Sequence, residues 1–189
     1  TMSFKEPGAI ETALTNVLTY TFSGVSSRRY IESLDLGGIK LVLDYGSGNG
    51  AISRFLAGRL REKGGHLTCI DISVEWQRII RKKLAAYENV DFFRGTIGDF
   101  AASREGGTLY DAGFIHFMLH DIPKEKRQGN LITLSGLLRS GGKLFVKEPV
   151  KESHGIPPEE IRGLCSATGF TETEAKVKGK VYEGEFIKK

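Results

Sequence analysis

From Leu41 onward, short apolar runs alternate with amphipathic stretches, the pattern of strands and helices following one another along a chain. The first run, Leu41 to Asp44, predicts a strand, and the glycine-rich YGSGNG after it predicts a turn into a helix carrying Ile52, Phe55, Leu56 and Leu60 and stopped by Gly64 and Gly65. His66 to Ile72 reads as the second strand. Ser73 then caps a helix with Trp76, Ile79 or Ile80, and Leu84 on its stripe. Third and fourth strands are expected at Val90 to Arg94 and Tyr110 to His116. A helix through Leu131, Leu134 and Leu138, ended by Gly141 and Gly142, leads into a fifth strand from Lys143 to Glu148. Pro157 and Pro158 open the next helix, which stops at Gly169. The β-like runs Phe170 to Val177 and Lys180 to Ile187 are so close that they must pair antiparallel.

These elements predict an α/β fold: a doubly wound, seven-stranded sheet, mostly parallel, with a C-terminal antiparallel hairpin and helices on both faces. Before it, Ile10, Leu14, Val17 and Leu18 recur at helical spacing, and Ser26 or Ser27 is placed to cap a second helix carrying Tyr30, Ile31 and Leu34. No linker or repeat interrupts the chain. It is read as one domain over 1–189, with the N-terminal helices of 1–38 flanking or capping a core over 39–189.

Composition narrows the class. At 189 residues, with 40% hydrophobic and 26% charged, the chain has the balance of a soluble globular protein. Its two cysteines, Cys69 and Cys165, lack metal or redox spacing and are read as packing residues. No run of about 18 apolar residues occurs, and no apolar leader with a cleavage signal opens the chain, so a cytoplasmic protein that neither spans a membrane nor is secreted is expected. The net charge of +4 is mild. Arg78, Arg81, Lys82 and Lys83 on one helix, with Lys176, Lys178, Lys180, Lys188 and Lys189 late in the chain, are read first as solvated faces and strand edges, and second as a surface for RNA.

In open α/β sheets ligands bind beyond the carboxyl ends of the strands, so the residues ending each strand carry the functional weight. Glycines at 46, 48 and 50 permit positive φ and let a ligand approach bare backbone. Gly46, Gly48 and Ala51 also satisfy a degenerate dinucleotide fingerprint. Asp44 argues otherwise: a carboxylate just before the turn attracts a ligand bearing an ammonium and a sulfonium, and repels a pyrophosphate. Asp71, ending the second strand, suits the ribose hydroxyls of an adenosine. His116 and His120 follow the fourth strand and titrate close enough to neutrality to serve as general bases. Glu148 ends the fifth strand on the ligand side and is expected to pair with a nearby lysine or solvent, while His66 and His154 are read as surface residues. No metal site is expected.

LVLDYGSGNG, Leu41 to Gly50, resembles the first motif of class I, Rossmann-like S-adenosylmethionine-dependent methyltransferases, and CIDIS, Cys69 to Ser73, resembles their acidic second motif. YDAGFIHFMLHDIP, GGKLFVKEP and the hairpin from Gly169 look like the family's fourth, fifth, and sixth and seventh strands. The resemblance implies S-adenosylmethionine as cofactor, contacted by Asp44, Tyr45, Gly46, Ser47, Gly48, Gly50, Asp71, Ile72, Thr96 and Ile97. Within that set the glycine loop lies under the methionine part, with Asp44 near its amino group, Asp71 on the ribose, and Thr96 and Ile97 by the adenine. The family often has an acidic residue where Thr96 stands. His116 and His120 fall where the family places residues between cofactor and acceptor.

The acceptor is read as a small molecule, because Glu148 to Glu159 leaves little room for an inserted recognition domain. Tyr20, Phe22, Arg28, Arg29 and Tyr30 are available to line it, or to pack the N-terminal helices on the sheet. An RNA acceptor ranks second, a non-catalytic S-adenosylmethionine-binding sensor or accessory subunit third, and an NAD-dependent oxidoreductase last, for want of a Tyr-x-x-x-Lys. There is no [DNS]-P-P-[YFW] after the fourth strand and no cysteine placed as a nucleophile.

Overall fold

The structure, a computed structural model, describes residues 24–104, 106–151 and 154–189. The predicted helix over Ile10 to Leu18, and Tyr20 and Phe22, lie outside the described residues. The chain divides into two compact units, residues 1–96 and 97–189.

In the first unit, α1 (Gly24–Ser33) precedes β1 (Leu41–Tyr45), α2 (Ser53–Arg61), β2 (His66–Asp71), α3 (Val74–Lys83) and β3 (Val90–Arg94). β1 pairs parallel to β2 with Leu41 opposite His66 and Asp44 opposite Cys69, and β2 pairs parallel to β3 with Asp71 opposite Arg94. Both faces of β1 and β2 are covered, which is why these strands read as continuous apolar runs. Val42, Leu43, Leu67 and Ile70 of the strands and Leu56, Leu60 and Ile80 of the helices are all buried. Each such side chain contributes about 1.5–3 kcal/mol by leaving water.

The second unit runs α4 (Ile97–Ala102), β4 (Tyr110–His116), a 3₁₀ turn (Leu119–Asp121), α5 (Lys124–Leu137), β5 (Leu138–Lys151), the short β6 (His154–Gly155), α6 (Pro158–Ala167), β7 (Phe170–Lys178) and β8 (Val181–Lys188). β4 and β5 are parallel, and β8 pairs antiparallel with both β5 and β7. Phe114 on β4 stacks on Phe145 of β5 with ring centroids 4.7 Å apart, worth about 0.5–1.5 kcal/mol beyond burial. β8 alternates, burying Tyr182, Gly184 and Phe186, whereas β7 exposes Thr, Glu and Lys as an edge strand does. The strand order is β3-β2-β1 in the first unit and β4-β5-β8-β7 in the second, with β6 attached to β5 off that path. This is the expected α/β architecture of seven main strands with an antiparallel C-terminal hairpin.

Four local expectations need correction. Leu138 starts β5 instead of ending a helix: its backbone pairs with Tyr110, and the register then jumps so that Ala112 faces Lys143. The residues between form a bulge. Gly141 turns at φ 72°, and a Cβ on Gly142 would stand 2.8 Å from the Arg139 carbonyl oxygen, so the glycines shape a strand irregularity and not a helix end. Neither Ser26 nor Ser27 caps α1, which begins at Gly24 and encloses both, with Ser27 buried. α4 and β6 were not foreseen, being too short to show a period. The buried stripe of α3 is Gln77 and Ile80, with Trp76 half-buried and Leu84 at the C-cap.

Candidate functional site

Between β1 and α2 the backbone doubles back three times through the left-handed region, with φ 76° at Gly46, 51° at Gly48 and 77° at Gly50. L side chains rarely adopt these angles. The N–H groups of Gly46 and Ser47 both donate to the Ile70 carbonyl, at 2.9 and 3.0 Å, so the turn is stitched to the end of β2. At Gly50 there is a steric reason as well: a Cβ would lie 2.9 Å from Cγ1 of the buried Ile80. Lys83 donates to the Asn49 carbonyl at 3.0 Å.

Beneath this turn, Asp44 is buried, and its Oδ2 accepts a 2.5 Å hydrogen bond from the Ser53 hydroxyl at the start of α2. Its Oδ1 is buried with no hydrogen-bond partner among the described residues. Burial pushes the Asp44 carboxyl up to about 7; the Ser53 hydrogen bond pulls it down, and the charge of Asp71 adds to the rise. Burial likewise holds the Tyr45 phenol above its ordinary value. Asp71 closes β2 with both oxygens engaged: Oδ2 accepts from the Gly48 N–H at 2.7 Å and Oδ1 from the Ser73 N–H at 2.9 Å. Ser73 in turn accepts from the Trp76 N–H, as an N-cap should. Ile72 and Val74 beside it are large apolar side chains left exposed. Asp44, Tyr45, Gly46, Ser47, Gly48, Gly50, Asp71 and Ile72 thus lie in one local cluster. Thr96, at the end of the first unit, is exposed, and Ile97, which opens α4, is buried in the second.

The second unit carries a different constellation at the end of β4. Phe117 is the sole non-glycine residue with positive φ among the described residues, at 54°, and it is exposed. The kink aims the following N–H groups at one carboxylate. Glu148 of β5, with none of its side chain exposed, accepts from the N–H of Met118 at 2.8 Å and Leu119 at 2.7 Å on Oε1. On Oε2 it accepts from the His120 N–H at 3.4 Å and from His120 Nδ1 at 2.7 Å. A group surrounded by donors acts as an acceptor, so Nδ1 carries the hydrogen and Nε2 the lone pair. Burial by itself lowers the pKa of His120, but the hydrogen bond and charge of Glu148 reverse that and leave it raised. Arg127, on α5, donates to the carbonyls of Ile122 and His120 and pairs with Glu160 at 2.8 Å, holding the turn to α6.

His116 is enclosed by neighbouring atoms, although part of its ring reaches the surface. Burial, reinforced by the Lys147 charge, pulls its pKa down to about 3. His116, the last residue of β4, and His120, in the turn beyond it, therefore differ sharply. The expectation that Glu148 pairs with a lysine or solvent is corrected: it is sealed against the 3₁₀ turn and His120. His154, read as a surface residue, is exposed but packs edge-on against the His120 ring with centroids 4.6 Å apart. His66, read likewise as a surface residue, is half-buried and meets Asp91 at 2.9 Å.

A family model described as a methyltransferase domain matches residues 42–142, which include the glycine turn, Asp44, Asp71, His116 and His120. The chain belongs to this methyltransferase-domain family. A protein of Invertebrate iridescent virus 6 named as a methyltransferase, 235L, is 26% identical over 145 residues, which are 75% of this chain and 51% of the relative. Among solved structures, an O-methyltransferase family protein from Burkholderia thailandensis superposes with a TM-score of 0.76 at 17% identity, covering 93% of this chain and 58% of that one. Human N-acetylserotonin methyltransferase, solved with S-adenosylmethionine, gives a TM-score of 0.72 at 21% identity over 94% of this chain and 55% of the human protein. The chain thus spans about half the length of these methyltransferases.

Sequence reasoning missed Ser53, Phe117, Arg127 and the roles of Glu148 and His154 in this methyltransferase domain. Their contacts connect distant parts of the chain, such as the 28 residues separating His120 from Glu148, and no local spacing announces them. The basic helix face is largely spoken for within the chain: Arg78 pairs with Glu75, Arg81 donates to the Phe92 carbonyl, and Lys83 reaches Asn49. Lys176 similarly contacts Glu183. Among the described residues no helix is long and apolar enough to cross a membrane.

Proposed function

We propose that this chain is an S-adenosylmethionine-dependent methyltransferase acting on a small-molecule acceptor. The observation that carries the reading is the buried, unpartnered Oδ1 of Asp44 beneath three left-handed glycines. Leaving a buried carboxylate oxygen without a partner is costly, and a ligand ammonium removes that cost, whereas a pyrophosphate adds repulsion. The glycine turn offers bare backbone to a ligand, and Asp71, fixed by Gly48 and Ser73, sets a carboxylate at the end of β2 toward which ribose hydroxyls donate. Exposed Ile72 supplies an apolar surface for an adenine, with Thr96 and Ile97 assigned to the same end of the ligand.

Bound there, the cofactor supplies a sulfonium methyl group: the acceptor lone pair forms the new bond to carbon as the carbon–sulfur bond breaks and its electron pair stays on sulfur. For the acceptor side we assign His120 in preference to His116. With its pKa near 3, His116 is a poor base at neutral pH. His120 has its Nδ1–H held by Glu148, and an acceptor that must lose a proton gives it to the Nε2 lone pair. A small acceptor fits the engagement of the basic helix face within the chain, and it fits the N-acetylserotonin named for the structurally similar human methyltransferase. We place the protein in the cytoplasm, in keeping with its two buried free cysteines.

Isothermal titration with S-adenosylmethionine, S-adenosylhomocysteine and NAD tests this, with Asp71→Ala as control. Micromolar binding of the first two, weakened in the variant, supports the reading, and binding of NAD alone overturns it.

A further inference from the structure

Three metal-binding groups gather in the second unit where β6 returns past the 3₁₀ turn. One ligand atom each from His120, Asp121 and His154 lies within 4.8 Å of the other two. Nε2 of His120 is 3.4 Å from Asp121 Oδ1, and the rings of His120 and His154 meet at 83° with centroids 4.6 Å apart. Ligand atoms bound to one ion at about 2.0–2.2 Å each stand roughly 3–4 Å from one another, so small rotations of the exposed Asp121 and His154 side chains close the set.

A second, independent feature points the same way. Metal-ligating histidines almost always donate their other ring N–H to a carboxylate, a backbone carbonyl or a water, which fixes the tautomer and the ring plane. Glu148 does this for His120 at 2.7 Å with none of its own side chain exposed, and three backbone N–H groups hold that carboxylate in place. The turn carrying His120 and Asp121 is clamped by Arg127 through the His120 and Ile122 carbonyls. His154 is set by the β5–β6 pairing of Val150 with Gly155 and Lys151 with His154. The cluster is therefore one buried, oriented imidazole with two adaptable ligands beside it.

We propose that His120, Asp121 and His154 form a binding site for a divalent transition-metal ion of the zinc class, with a coordination position left open to an oxygen-bearing small molecule. Two imidazoles and one carboxylate suit zinc, cobalt or nickel better than magnesium or calcium, which prefer all-oxygen shells. With an ion seated, His120 Nε2 would be a ligand and no longer a proton acceptor, and the metal would instead lower the pKa of an acceptor hydroxyl bound at its open position. The site shares His120 with the acceptor-side role proposed above and rests on that reading there, but it uses none of the residues assigned to the cofactor.

The test is calorimetric titration of Zn²⁺ into untagged, chelator-stripped protein, paralleled by the visible absorption of Co²⁺. The expected result is one equivalent of either metal per chain, with the stronger cobalt bands of a four- or five-coordinate site. His154→Ala and Asp121→Asn, both changes at exposed side chains that the fold tolerates, are each expected to weaken Zn²⁺ binding at least tenfold. Loss of the Glu148 acceptor in Glu148→Gln is expected to weaken it by about 10–100-fold. Unchanged zinc affinity in His154→Ala, or absence of stoichiometric uptake by the wild type, overturns the proposal. S-adenosylmethionine titrated into the same proteins reports separately: retained cofactor binding without metal uptake defeats the metal site alone.

Discussion

The carboxylate of Asp71 accepts the Gly48 N–H at 2.7 Å, so the residue that ends β2 fastens the turn that follows β1. One side chain thereby couples loop shape to the placement of the group proposed to accept from ribose hydroxyls. Its other oxygen anchors the start of α3 through Ser73. Loop, strand end and helix start are held by a single group.

Asp71→Ala removes both acceptors and leaves two backbone N–H groups to find others. Hydrogen bonds to charged groups are worth about 1.5–3 kcal/mol, so the variant should lose about that much stability by urea unfolding, together with a tenfold or greater drop in S-adenosylmethionine affinity. A stable variant with normal cofactor affinity would show that Asp71 serves neither the turn nor the ligand.

Asp44 is expected to make cofactor binding pH-dependent. In the folded chain its carboxyl, raised to about 7 by burial, keeps a proton that the unfolded chain has released between the ordinary carboxylate range and about 7. Folding stability from this group therefore falls as pH rises through that window and levels off above it. A ligand ammonium needs the ionised form, so affinity runs the other way: it should rise with pH up to about 7, with protons released on binding, and then flatten. Titration from about pH 5.5 to about pH 8.5 in buffers of differing ionisation heat measures both effects. Asp44→Asn should bind weakly with a flat profile, and a flat profile in the wild type would remove Asp44 from the ammonium contact.

The parts of this molecule readable in advance are those whose cause is local. Tyr110 to His116 forms β4 with the expected ends because its strand-forming residues fall between turn signals, and Ser73 caps α3 because a serine before a helical stripe has a nearby N–H to accept. The glycine turn and the two aspartates were legible for the same reason, as strand ends followed by fixed spacings. Leu138 went astray because its apolar character serves a helix stripe and a buried strand equally well, and the bulge beside Gly142 depends on Asp111 across the sheet. Glu148 and His154 went astray because their roles exist only once β4, β5 and β6 are side by side. Tertiary proximity of that kind leaves no period in the chain.

Gly50 and Gly64 separate two costs that a glycine position can carry. Both have positive φ, 77° and 64°, but nothing lies within 4 Å of a Cβ on Gly64, whereas one on Gly50 meets Ile80 at 2.9 and 3.3 Å. Gly64→Ala should lose about 1 kcal/mol for the conformation alone. Gly50→Ala adds overpacking, about 1–3 kcal/mol more, and distorts the turn, so cofactor affinity falls as well. Equal thermal midpoints for the two variants would contradict the steric account.

Glu148 should matter more to the fold than the histidine it holds. Its carboxylate receives the N–H groups of Met118, Leu119 and His120 in addition to the ring of His120, so His120→Ala removes one bond of the set and spares the others. Glu148→Gln keeps the shape but points an amide NH₂ at donors that need an acceptor, at a side chain with no exposed surface. Breaking a buried charged network in this way costs about 2–4 kcal/mol, against about 1 kcal/mol for His120→Ala. Urea midpoints at constant m give both values, and the double variant gives the coupling. The coupling should be the smaller part, because the backbone contacts persist without the imidazole. A Glu148→Gln protein as stable as the wild type would mean that the turn after Phe117 is held by Arg127 alone.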